Sequence, residues 1–356
     1  MMVIFGAGAS YDSSPTYTIG MAPPDAIGIA DDYFRPPLAK DLFANRPLFI
    51  QALELFPQCK AVVPRLRDPA VVSGQKSIET LLQEIEKEAE GYPRGHEELA
   101  AVRCYLQRAI SQCEIQWRSI TKRVTNYLWL LREIERMHRG DDPVCLVTFN
   151  YDTLLEDALE DRGLKIERME DYVDRSCLFR LFKLHGSVNW AQEVRDPLPA
   201  NINRRYAPAV LTYLVKRGPK LQALNRFVIC DPSSMGVFNE RPIFPAIAIP
   251  VEKKQEFQCP PDMLESLRSS LPHVTKIITI GWRATEGHFL KLLKENLRPG
   301  VYLSIVAGNQ REAENIRVHI NEALPDNQPS SNPEPWGFTE FLRSRRAEQI
   351  LAAGPD

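Results

Sequence analysis

The sequence has no pair of cysteines at the spacing of a metal knuckle. Its seven cysteines are Cys59, Cys104, Cys113, Cys145, Cys177, Cys230 and Cys259, and the closest two, Cys104 and Cys113, stand nine positions apart. The absence of any C-x-x-C argues against a structural zinc site, and an odd, scattered set fits reduced thiols in a cytosolic chain. No apolar run approaches the roughly 20 residues of a membrane span, so no membrane partner is expected. The start, Met1-Met2-Val3-Ile4-Phe5-Gly6, lacks the basic n-region and long apolar stretch of a secretion signal, which leaves a cytoplasmic location as the expectation. Neither sign of charge dominates. The formal net charge is -2 with Lys and Arg scattered, so direct nucleic-acid binding is not expected. No Gly-Lys-Ser/Thr occurs, which excludes a P-loop, and there is no internal repeat or low-complexity tract. What is present is a hydrophobic content of 44% over 356 residues, enough core for one large domain or two.

The most informative stretch is Val144-Cys145-Leu146-Val147-Thr148-Phe149-Asn150-Tyr151-Asp152. A short buried strand breaks into polar and aromatic residues and opens directly into a helix, with Leu154, Leu155, Ala158 and Leu159 at helical spacing. Open α/β sheets bind ligands at such carboxyl ends of strands. Asp152 is expected to cap the new helix and organise the site, with Glu156 favourably placed near the helix's positive end. Three other apolar runs end in the same way. Val3-Ile4-Phe5 runs into Gly6-Ala7-Gly8-Ala9-Ser10, where small residues and backbone N–H groups suit a pyrophosphate. As a dinucleotide fingerprint this is incomplete, with Tyr11 in place of the third glycine, and a plain tight turn is an equal reading. Leu178 to Leu184 leads into His185-Gly186-Ser187-Val188-Asn189-Trp190. Lys276 to Ile280 exits through Gly281-Trp282, and Val301 to Val306 through Ala307-Gly308-Asn309.

Between these strands the pattern changes. Residues 12–37 read as a long loop, either a lid over the glycine turn or a surface excursion. From about 40 to 140 the periodicity is helical, with Ser77 as a cap and one long or two shorter helices from His96 to His138. This is expected to be a large insertion after the first strand. Residues 191–260 read as irregular, with short strands at Arg226–Asp231 and Pro242–Pro250, and Pro245 to Lys254 either lining a pocket rim or covering the surface. Helices are expected over Thr285–Asn296 and Arg311–Leu324, then a polar tail with a last helix near Phe338–Leu351. The fold class is therefore α/β: a Rossmann-like parallel sheet with flanking helices and a large helical insertion. The domain is expected over 1–322, with a C-terminal tail over 323–356.

The ordered set Gly6-Ala7-Gly8-Ala9-Ser10, Thr148-Phe149-Asn150-Tyr151-Asp152, Lys183-Leu184-His185-Gly186-Ser187-Val188-Asn189-Trp190 and Ile280-Gly281-Trp282 resembles the sirtuin-like NAD-binding family. It is most similar to the bacterial sirtuin-like NAD hydrolases of antiphage defence. Two departures separate it from the deacylases: they carry a four-Cys zinc module, and they carry Gln where this chain has Phe149. Arg283 stands where the pattern commonly has Ser, and Glu286 is the acidic residue that follows.

The resemblance implies that NAD+ is the substrate, that no metal is needed, and that nicotinamide and ADP-ribose are the products. Asn150 and His185 would be catalytic. An ordinary imidazole titrates near about 6.5, so His185 suits accepting a proton from a water or ribose hydroxyl. The Asn150 amide, with a donor and an acceptor, suits holding both together. Gly6, Ala7, Gly8, Ala9 and Ser10 would cradle the pyrophosphate. Phe149, Asp152, Gly186 and Trp282 would line the site, and Gly281 and Asn309 would lie toward the adenosine. By the same resemblance the chain would be an NAD-depleting effector, working as a homo-oligomer or with a separately encoded partner such as a hexameric ATPase/helicase or an Argonaute-like sensor. The alternatives are a non-catalytic NAD or ADP-ribose sensor and, third, an NAD-dependent protein deacylase.

Overall fold

A computed structural model describes residues 1–14, 31–72, 76–138, 142–195, 198–218, 221–250, 257–325 and 329–353. Most of the loop expected as a lid, and residues 251–254 of the expected pocket rim, lie outside them. The frame is a six-stranded sheet in the order β3-β2-β1-β8-β9-β10. Its strands are β1 (Met2–Phe5), β2 (Val144–Thr148), β3 (Phe179–Lys183), β8 (Lys276–Ile280), β9 (Tyr302–Val306) and β10 (Ser330–Glu334), and every pairing is parallel. β1, β2 and β8 are buried along their whole length, as parallel strands covered by helices on both faces must be. The expected Rossmann-like sheet is therefore present. The chain moves outward from β1 through β2 to β3, then returns to β8 on the other side of β1. The strand order thus reverses between β1 and β8, where such sheets form a crevice.

Two long excursions leave this sheet. The first, between β1 and β2, is the expected helical insertion. Its main helices are Pro47–Leu55, Ile78–Glu90, Pro93–Thr121 and Asn126–Met137, so the stretch after His96 holds two helices. Ser77 caps the second, its hydroxyl accepting the Thr80 N–H at 3.0 Å. The second excursion lies between β3 and β8 and is more regular than its proline content suggests. β4 (Gly186–Val194), β5 (Ala223–Ile229), β6 (Val237–Phe238) and β7 (Arg241–Ile247) make an antiparallel sheet in the order β5-β4-β7-β6, accompanied by the helix Ala207–Lys216. The two excursions share a core: Leu82, Val102 and Leu106 of the insertion pack with Val188, Leu214 and Ile247 of the second sheet.

The segment expected as a polar tail supplies the sixth strand of the main sheet. β10 has no apolar run, yet it pairs along β9 from Ser330 to Glu334, and an edge position tolerates its Pro333. Two short helices follow, Gly337–Arg343 and Arg346–Ala352, and bury Phe338, Phe341, Ala347 and Ile350 in the main core. Lys276 of β8 locks them down: its ammonium donates to the Ile350 carbonyl at 2.7 Å and to the Leu351 carbonyl at 3.3 Å, satisfying the open carbonyls of the last helix turn.

Candidate active site

Strand register sets the height of the candidate residues. Thr148 of β2 pairs with Lys183 of β3 and with Phe5 of β1. Phe5 also pairs with Ile280 of β8, and Ile280 with Val306 of β9. Asn150 and His185 are therefore each two residues past a paired position on neighbouring strands. The exits of β1, β8 and β9 stand at the same level. Backbone bonds continue the sheet by one step beyond the strands, from Phe149 N–H to the Phe5 carbonyl at 3.1 Å and from Leu184 N–H to the Thr148 carbonyl at 3.1 Å.

Asn150 is buried, and its amide nitrogen donates to the Gly6 carbonyl at 2.9 Å, the Ser10 hydroxyl at 2.9 Å and the Tyr127 hydroxyl at 3.2 Å. The Gly6 carbonyl can only accept, which fixes the orientation of the amide. Two N–H hydrogens thus serve three acceptors, and the amide's donor end is spent inside the fold. The carbonyl Oδ1 is what remains, without a hydrogen bond among the described residues. Asn150 therefore does not offer the free donor expected from its side-chain chemistry; it offers an acceptor. Tyr127 belongs to the helical insertion and drew no attention in the sequence, because nothing local marks a core tyrosine whose hydroxyl reaches another element.

His185 sits in an aromatic cluster. Its ring meets Phe149 edge-on at 4.9 Å, lies nearly parallel to His288 at 5.9 Å, and faces Tyr151 at 6.5 Å. Phe149 in turn stacks on Trp282 at 5.7 Å and 11°. Phe149 and Trp282 are therefore the wall behind the histidine. Trp282 is 2% exposed and donates its indole N–H to Glu286 at 2.5 Å, so the acidic residue that follows the motif is engaged within it. His288 was overlooked in the sequence; it lies at the start of the helix Gly287–Asn296 and packs on Phe257 at 4.4 Å.

The glycines have another use. A Cβ on Gly6 would meet the Gly281 carbonyl oxygen at 2.5 Å, one on Gly8 would meet Gly281 Cα at 2.8 Å, and one on Gly281, whose φ is +59°, would meet the Ala9 nitrogen at 2.4 Å. The β1 and β8 exits lie backbone on backbone at the point where strand order reverses. Three N–H groups of the turn are engaged there: Gly6 with the Ile280 carbonyl, Gly8 with Gly281 and Ala9 with Gly6. Ser10 is turned inward to Tyr127 and Asn150, and Ala7 opens the short helix Ala7–Tyr11. Two other candidates do not join the cluster through their side chains. Gly186, at φ +81°, is where β4 crosses β7, and a Cβ there would fall 1.8 Å from the Ala246 carbonyl oxygen. The Asn309 side chain caps the helix Gln310–Ala323, accepting the Glu312 N–H at 2.9 Å.

Beneath the Asn150 turn lies a buried charged network. The helix after β2 spans Leu154–Glu160 with Thr153 at its N-cap, so Asp152 is one residue too early to be the cap. Its carboxylate instead accepts the Leu154 N–H at 3.3 Å. The Thr153 N–H is taken by Glu114 of the insertion at 2.8 Å. Glu114 is 3% exposed, and burial pushes its carboxyl up to about 8, outweighing the opposing pull of Arg118. That guanidinium is shared with Asp157 and Thr153. Lys183, fully buried, lies 3.0 Å from Glu156 and donates to the Asp152 carbonyl. Burial raises Glu156 and Asp157 as well. A lysine inside a strand is costly unless paired, and here the pairing ties β3 to the turn that carries Asn150.

A SIR2-like domain model matches residues 144–212. The matched stretch runs from the first residue of β2 into the helix Ala207–Lys216 and includes both Asn150 and His185. Among solved structures, a mutant of Sir2 homologues in complex with 2'-O-acetyl ADP ribose is 13% identical, with a TM-score of 0.39 over 100% of this chain and 94% of that one. A mutant Sir2 homologue in complex with ADP ribose is 13% identical, with a TM-score of 0.38 and the same coverage. No curated protein matches the chain.

Proposed function

We propose that the chain cleaves the bond between nicotinamide and ribose in NAD+, giving nicotinamide and ADP-ribose. The observation that carries this reading is the level placement of Asn150 and His185 at neighbouring strand exits, inside the stretch that matches the SIR2-like domain. As the bond lengthens, positive charge grows on the ribose ring. An amide whose nitrogen is held inside the fold keeps its carbonyl dipole in one orientation, and a fixed dipole stabilises developing charge without reorganising. An imidazole at the neighbouring exit can take the proton of the attacking water as its oxygen bonds to the ribose carbon that nicotinamide leaves. Nicotinamide leaves neutral, because its ring nitrogen carries the positive charge before cleavage, so no acid is required. By the resemblance of its motifs, the chain is an NAD-depleting antiphage effector switched on by self-assembly or by a protein partner.

The test is nicotinamide release from NAD+ by the chain, alone and co-expressed with its genomic neighbours. Release that falls at least about 10²-fold in Asn150→Ala and in His185→Ala supports the proposal. Unchanged rates in both variants would overturn the site assignment. Calorimetric binding of NAD+ with no release in any assembly state would make the chain a sensor rather than a hydrolase.

A further inference from the structure

The helical insertion reaches Asn150 itself through the Tyr127 hydroxyl. Tyr127 OH lies 2.8 Å from Ser10 Oγ and 3.2 Å from Asn150 Nδ2. The ring is clamped edge-on by Phe5 at 5.2 Å and 69° and by Phe338 at 5.7 Å and 70°, and the residue is 1% exposed. Asn150 Nδ2 donates to both oxygens, and one of the two hydroxyls donates to the other. Burial also holds the tyrosine in its neutral, proton-bearing form, its pKa displaced well upward.

We infer that Tyr127 is a positioning residue for the proposed cleavage: its hydroxyl, with the Gly6 carbonyl and the Ser10 hydroxyl, holds the Asn150 amide nitrogen and leaves Oδ1 for substrate. This rests on the hydrolase reading. It gives the insertion a chemical task, because rotation of the amide by half a turn would put Oδ1 against the Gly6 carbonyl and replace an acceptor with a donor where positive charge develops. The neighbouring residue strengthens the clamp. Asn126 donates to the Asp12 carbonyl at 2.6 Å and to the Thr339 hydroxyl at 2.8 Å, and the Thr339 N–H donates to the Asp12 carboxylate at 2.9 Å. The insertion, the end of the glycine turn and the helix Gly337–Arg343 are thereby held in one arrangement around Tyr127.

The experiment is a double-mutant cycle on nicotinamide release with Tyr127→Phe and Asn150→Ala. Tyr127→Phe should lower kcat about ten-fold, the loss expected for one buried hydrogen bond to a reacting group, with KM changed less than about two-fold. In the Asn150→Ala background the same change should cost nothing further, because the hydroxyl acts through the amide. Equal losses in both backgrounds, or an unchanged kcat in the single variant, would overturn the inference. A readout independent of turnover separates this from failure of the hydrolase reading. With selectively 15N-labelled asparagine, the Asn150 side-chain protons should exchange slowly in the wild type and about ten-fold faster in Tyr127→Phe; identical exchange would show that the hydroxyl does not hold the amide.

Discussion

At the exits of β2 and β3 the chain places Asn150 and His185, backed by Tyr127 and Glu114 of the insertion and by Lys183 of β3. At the exits of β1 and β8, on the same sheet edge, it places Gly6, Gly8 and Gly281, which are needed because side chains there would collide with backbone. One pair of exits is made by side chains held in position, the other by their removal. The difference assigns separate tasks to motifs that look alike in the sequence. The glycines let two strand exits meet at the point of reversal. On the proposed hydrolysis, the polar pair carries the chemistry. The Asn150 side chain joins the two regions, since its amide donates to the Gly6 carbonyl.

Breaking the backbone-on-backbone contact should have the largest effect. Gly281→Ala adds a Cβ against the Ala9 nitrogen at a left-handed φ, and it should cost about 4 kcal/mol of stability in urea denaturation, as strain and overpacking add. A loss below about 1 kcal/mol would mean that the exits have room to separate. Next comes the charged support of the other region. Lys183→Met leaves Glu156 buried without its cation and should cost about 3 kcal/mol by the same measurement. The link between the regions ranks third: Asn150→Ala removes the bonds to Gly6, Ser10 and Tyr127 and should cost about 2 kcal/mol. If it costs nothing, the Asn150 amide does not contribute to joining the two regions.

The smallest change expected at neutral pH is Glu114→Gln, under about 1 kcal/mol, because a carboxyl pushed up to about 8 is largely protonated there and the amide can still accept the Thr153 N–H. Its effect lies in the slope. The folded chain binds this proton more tightly than the unfolded chain, whose carboxyl has the ordinary value of 4.5. The stability it contributes is therefore complete below about pH 4.5 and is lost as pH rises through about 8. Denaturation midpoints measured across that window should fall with pH in the wild type. They should fall less in Glu114→Gln, with the remaining slope coming from Glu156 and Asp157, which shift the same way.

The sheet was legible because its inner strands are apolar runs that end abruptly. Val144–Thr148 and Lys276–Ile280 announce both the strand and its exit. β10 was not, because an edge strand paired on one side needs no apolar run, and Ser330-Ser331-Asn332-Pro333-Glu334 has none. β4 was read as part of a polar exit because it starts at Gly186, immediately after His185. Asn150 and His185 could be singled out by residue type at a strand end. The direction in which the Asn150 amide points could not, because it is set by Gly6, Ser10 and Tyr127, as far as 144 positions away. Trp282 was singled out by its motif and Asn309 by its place at a strand exit, and the fold uses the first as a buried wall and the second as a helix cap.

On the proposed hydrolysis, a fixed Asn150 carbonyl stabilises the charge of bond cleavage. Nicotinamide release by Asn150→Ala, measured beside calorimetric NAD+ binding by the same variant, tests this. Release should fall at least about 10²-fold, the usual scale for removing one preorganised dipole, with binding changed only a few-fold. Release at the wild-type rate, with NAD+ bound as before, would contradict it.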